Sequence, residues 1–117
     1  MDRVPDGELL DDSVLAVLRE CAVPDAPDPA REVAATFRSV TPGRLARLRS
    51  AVGEGNTEEM RRIAHQVRGS CGVVGAMAMQ RLASEIESLE LTADAAPLVE
   101  QLQVLFARTR ARLEAAV

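Results

Sequence analysis

Six apolar residues between Met60 and Val74 decide most of what this chain can fold into. Met60, Ile63, Ala64, Val67, Cys71 and Val74 stand at i, i+3, i+4, i+7, i+11 and i+14. At 100° per residue they fill an arc of about 100°, which is one face of an α-helix. The helix also has ends. Asn56 is a favourable N-cap, Glu59 follows at capping-box spacing, and Gly75 closes the pattern.

The rest of the chain repeats the helical period. Apolar residues make up 47% of 117, but aromatics only 2%, with no Trp or Tyr, so the core must be aliphatic. That favours helices over sheets. One domain of this size buries roughly two thirds of its unfolded surface and needs no disulfide or metal staple. Residues 1–10, with Pro5 and Gly7 among acids, read as an arm. Asp11, Asp12 or Ser13 caps a short helix over 13–21, with Val14, Leu18 and Cys21 on one face. Pro24, Pro27 and Pro29 make the next stretch a connector.

A long helix over 29–53 follows, with Val33, Phe37, Val40, Leu45, Leu48 and Val52 as its stripe. It is read as kinked at Pro42 in preference to broken there, and Gly53 and Gly55 end it. After the 56–74 helix, Met79, Leu82, Ala83, Ile86 and Leu89 mark a fourth. Thr92 or Asp94 caps a fifth, striped by Leu98, Leu102, Leu105, Thr109 and Leu113. The expected fold is all-α, an antiparallel four-helix bundle with a short additional N-terminal helix, forming one domain over 11–117.

Charge and cysteine usage narrow the function. The net charge is −4, and an acidic balance argues against non-specific nucleic-acid binding. All fourteen basic residues are arginine, a bias that reads as a GC-rich genome and not as a functional signal. Cys21 and Cys71 are far apart with no CxxC spacing, which reads as reduced thiols. The longest nearly apolar run, Cys71 to Met79, is about half of a membrane span. The N-terminus has acids where a signal peptide has bases. A cytoplasmic location is expected.

The wet face of the 56–74 helix carries the chemistry. Measured from the centre of the apolar stripe, His65 lies at about 140° and Gly69 at about 180°. Gly72 and Arg61 lie near 120° and 100°, and Arg68 near 80°. His65 is the chain's one histidine. A glycine inside a helix costs about 0.5–1 kcal/mol relative to alanine. Close packing does not account for Gly69, which lies opposite the core stripe, whereas a large partner approaching His65 does. Metal binding lacks a second histidine, and Cys71 points into the core. No Ser, His and Asp set exists for hydrolysis, and the Gly69-Ser70-Cys71-Gly72 run lies inside a helix rather than in a phosphate loop.

His65, Val67, Arg68, Gly69, Ser70 and Gly75-Ala76 together resemble the signature of histidine-containing phosphotransfer (HPt) domains. That pattern is His, any residue, an apolar residue, Lys or Arg, Gly, Ser, and Gly-Ala ten and eleven residues after the His. Lys is commoner where Arg68 stands, and Arg holds a phosphoryl group as a rigid fork rather than a point charge. The resemblance implies a phosphorelay carrier with no kinase or phosphatase machinery of its own. His65 would be phosphorylated by a receiver-domain aspartyl phosphate, or within a pathway fed by a hybrid histidine kinase. It would then pass the group to a second receiver. Mg²⁺ would come from the receiver, and the chain itself would need no cofactor.

The chemistry of these residues fits that role. Imidazole is a good nucleophile near neutral pH, and phosphoryl transfer asks mainly for positioning and charge neutralisation. Arg68 can neutralise phosphoryl oxygens, while Gly69 and Gly72 give clearance. Arg61, with Arg62 and Glu58, is a candidate for partner contact. His65 is ten residues before Gly75 and Glu87 twelve after it, so the two reach the same height across a helical hairpin to within about 3 Å. Glu87 is therefore expected to accept a hydrogen bond from His65 Nδ1. The alternative reading is an interaction module that binds a receiver or another regulator without carrying phosphate. The glycine-rich face offers no large apolar patch for a dimer, so a monomer is expected.

Overall fold

A computed structural model describes residues 4–116. It contains five α-helices: α1 (Asp12–Glu20), α2 (Pro29–Gly53), α3 (Thr57–Val74), α4 (Met77–Ser88) and α5 (Ala96–Ala116). Single 3₁₀ turns cover Asp6–Glu8 and Thr92–Asp94. Helix α2 packs on α3, α3 on α4, α4 on α5, and α5 returns to α2. The short connections make successive members of this four-helix ring run in opposite directions. Helix α1 lies against α2 and α3.

Helix α3 is built as its pattern requires. Met60, Ile63, Ala64, Val67, Cys71 and Val74 are all buried. Asn56 Oδ1 accepts from the Glu59 amide at 3.1 Å. The reciprocal half of the capping box is missing because the Asn56 amide already donates to the Ala51 carbonyl at 2.9 Å. That bond, with Gly55 N–H donating to the Val52 carbonyl and Gly55 at φ +71°, closes α2 in a Schellman motif. The Glu59 carboxylate turns to Arg62 instead.

The turn between α3 and α4 needs its glycine. Gly75 has φ +78°, and its carbonyl accepts from the Asp11 amide at 2.7 Å. A Cβ there would stand 2.7 Å from the Asp11 carbonyl oxygen and 3.0 Å from Val14 Cβ. Ala76, next to it, is fully buried. The Gly-Ala pair thus makes the tight hairpin and seats the start of α1 against it.

Helix α2 runs unbroken through Pro42, capped by Asp28 with Pro29 in its first turn. Its buried side differs from the expected stripe. Ala30, Ala34, Phe37, Thr41, Leu45, Leu48 and Ala51 face inward, while Val33 and Val52 are half-buried and Val40 is exposed. Alanines let the helix axes approach, and the valines are displaced to the groove between helices. Phe37 meets Phe106 of α5 with ring centroids 5.8 Å apart.

Three smaller corrections have the same origin. In α1 the buried residue is Leu15, with Val14 and Leu18 at the edge and Cys21 exposed. In α5 Val99 is buried and Leu98 half-buried. Residues 4–10, read as an arm, pack instead: Leu9 and Leu10 are buried and Val4 lies against the core. Residues 1–3 of that arm lie outside the described residues. Two adjacent leucines after a single turn have no period, so the pattern did not mark them as core.

Candidate functional site

His65 is the ninth residue of the eighteen in α3, away from either frayed end. The buried stripe fixes the helix, and the imidazole points the other way with 62% of its side chain exposed. Glu87 comes from the last turn of α4, brought alongside by the Gly75-Ala76 hairpin. Its Oε2 is 2.9 Å from His65 Nδ1. Arg68, one turn along α3, places Nη2 3.0 Å from the same Nδ1 and Nε 3.3 Å from Glu87 Oε1. These three side chains form one charged cluster at the wet surface. A proton on Nδ1 directed at Glu87 leaves the Nε2 lone pair facing solvent.

The two glycines beside the histidine have different surroundings. A Cβ on Gly69 would meet nothing within 4 Å. A Cβ on Gly72, itself exposed, would meet Gln80 Nε2, the far end of an α4 side chain, at 3.1 Å. Arg61 spans α3 and the end of α4, where its Nε donates to the Leu89 carbonyl at 2.8 Å. Arg62 pairs with Glu59, whose carboxyl it holds below the usual range by hydrogen bonding. Glu58 is exposed beside the half-buried Glu59, in the first turn of α3.

Sequence reasoning missed the groove between α2 and α3. Val33, Phe37 and Val40 line it from α2, and Val73 and Val74 from α3. Val73 is 54% exposed and Val40 38%. Arg44 crosses the groove to hydrogen-bond the Ser70 hydroxyl, next to Gly69. A signal was available: Val73 stands between the buried stripe and His65 in the helical count, an apolar residue with no core partner.

Behind the histidine, Cys71 is fully buried, and burial pushes its thiol up to about 12. It cannot serve as a thiolate nucleophile or ligand near neutral pH. No group of three or more His, Cys, Asp or Glu among the described residues could hold a metal ion. No helix among the described residues is long and apolar enough to cross a membrane.

An exposed mid-helix histidine on a four-helix bundle can be compared with known proteins. The Hpt domain family model matches residues 32–116. The chain belongs to the Hpt domain family. The solved structure of histidine-containing phosphotransfer protein B (HptB) from Pseudomonas aeruginosa PAO1 is 28% identical in sequence. It superposes with a TM-score of 0.77 over 92% of each chain. No curated protein matches the sequence. The Hpt assignment makes this chain a histidine phosphotransfer protein of a phosphorelay, a phosphocarrier built on a helical bundle. The family model covers α2, from its fourth residue, to α5 and leaves α1 outside it.

Proposed function

We propose that His65 is the phosphorylated residue and that it shuttles a phosphoryl group between receiver-domain aspartates. The observation that carries this is the chain's one histidine, solvent-facing at the centre of α3, with open space at Gly69. In the forward step Nε2 attacks the phosphorus of an aspartyl phosphate in line. The N–P bond forms as the bond from phosphorus to the aspartyl oxygen breaks, and the aspartate leaves with the electron pair. Arg68 supplies charge-assisted donors to the phosphoryl oxygens, and Glu87 faces the positive charge that develops on the ring. The return step reverses these bond changes on a second receiver.

Nothing in this chemistry asks the carrier for kinase or phosphatase machinery. Mg²⁺ is the receiver's contribution, held in its acidic pocket, where the cation neutralises charge on the aspartyl phosphate. The α2/α3 groove, which reaches Ser70 next to Gly69, is the seat for the receiver. Its exposed valines offer an apolar contact, and Arg44 sits at its edge. The chain works as a monomer in the cytoplasm on this reading. Incubation with a phosphorylated receiver tests it. Acid-labile label should appear on the wild type and be absent from His65→Gln. Equal labelling of the two, or none on either, overturns the proposal.

A further inference from the structure

His65 Nδ1 has two neighbours with opposite requirements. Glu87 Oε2, at 2.9 Å, only accepts, so that contact needs a proton on Nδ1. Arg68 Nη2, at 3.0 Å, only donates, so that contact needs a lone pair there. A ring nitrogen of neutral imidazole has one in-plane site, holding either the proton or the lone pair. The two contacts are therefore alternatives, and each specifies a tautomer. With Nδ1–H given to Glu87, Nε2 carries the lone pair and can attack phosphorus. With Nδ1 accepting from Arg68, the proton is on Nε2 and the attacking position is blocked.

We propose that Glu87 and Arg68 are opposed positioning residues that set the tautomer of His65. Glu87 holds the nucleophilic form, and Arg68 holds the blocked form until a phosphoryl group draws it away. The inference rests on the reading of His65 as phosphoryl acceptor. Arg68 is free to make this exchange. Its side chain is 39% exposed, and its Nε stands 3.3 Å from Glu87 Oε1. That oxygen has no hydrogen-bond partner among the described residues, so the ion pair is too askew to count as a bond. The planar guanidinium reaches the ring and the carboxylate together, which a compact ammonium does less well.

The proton balance is simple. As Arg68 leaves for the incoming phosphoryl oxygens, Nε2 gives its proton to water and Nδ1 takes one from water. The Nδ1–H bond to Glu87 then stays intact while Nε2 attacks, and the resulting imidazolium faces a carboxylate. Arg68 thus guards the resting carrier and assists the loaded one.

With one histidine in the chain, ¹⁵N-histidine labelling gives a single imidazole pair to observe. Two-bond ¹H–¹⁵N spectra of the unphosphorylated full chain are recorded at about pH 8.5, above the ordinary imidazole range. Arg68→Ala should move the tautomer ratio towards Nδ1–H, and Glu87→Ala towards Nε2–H. Each shift should be about fivefold, the size of one net hydrogen bond. Both side chains are half-buried at the edge of the α3/α4 pair and outside the apolar core, so the fold is expected to survive either change, which circular dichroism checks. Opposite shifts support the proposal. A wild-type ratio in either variant, or shifts in the same direction, overturns it. Because no phosphate is present, this result stands apart from whether His65 carries the phosphoryl group.

Discussion

Gly69→Ala separates the demands of the helix from those of the partner. Gly69 is the thirteenth of eighteen residues in α3, well inside the helix, and a Cβ there meets nothing within 4 Å. With no steric penalty, the helix keeps its propensity gain of about 0.5–1 kcal/mol. In a domain of this size that raises the midpoint of thermal unfolding by about 2–4 °C. The same methyl occupies the space next to His65 that a receiver must enter. A displacement of about 1 Å at a transfer site costs up to about a hundredfold in rate, so transfer from a phosphorylated receiver should fall at least about tenfold. Calorimetry gives the first quantity and a rapid-quench transfer assay the second. A stabilised variant with unimpaired transfer refutes the clearance argument. A destabilised one refutes the view that the glycine is a structural cost.

Other substitutions probe the frame. Gly75→Ala should destabilise by about 2 kcal/mol or more, because it forces a Cβ into left-handed backbone against the Asp11 carbonyl and Val14. Denaturant unfolding measures it, and a neutral effect would deny that turn its role. Val73→Asp should leave stability within about 0.5 kcal/mol, since the side chain is 54% exposed, yet weaken receiver binding in a titration. Native protein should present one reactive thiol, Cys21, with Cys71 alkylated only after unfolding. The Cys71 thiol is raised from 9.0 to about 12 in the fold, so the unfolded chain loses that proton first. The contribution of Cys71 to stability is therefore constant below about pH 9 and falls as pH rises from about 9 to about 12, by up to about 1.4 kcal/mol per unit.

The legible parts of this chain are those where one side chain property decides placement. The six-residue stripe of α3 is buried in full, and Asn56, Asp11 and Asp28 cap α3, α1 and α2. A cap needs only a short acceptor at the helix start, and a stripe needs only period. The height count across the Gly75 hairpin also brought Glu87 to His65, because helical rise is fixed. Packing depth was less legible. In α2 the alanines face inward and Val40 faces the groove, because the small residues permit the closer helix approach that hydrophobicity alone does not rank. Leu9 and Leu10 are core without any helical period. Gly72 is exposed like Gly69, yet only at Gly72 would an added Cβ meet a side chain, Gln80 of α4. Arg44 reached Ser70 across two helices, a pairing that no local pattern encodes.

A chase experiment tests the carrier claim most directly. The phosphorylated wild-type chain is purified away from its donor and mixed with a fresh receiver without ATP. Label should leave His65 and appear on the receiver's aspartate, far faster than the phosphorylated chain hydrolyses alone. Label that stays on His65, or that is released only as inorganic phosphate at the spontaneous rate, would contradict the account.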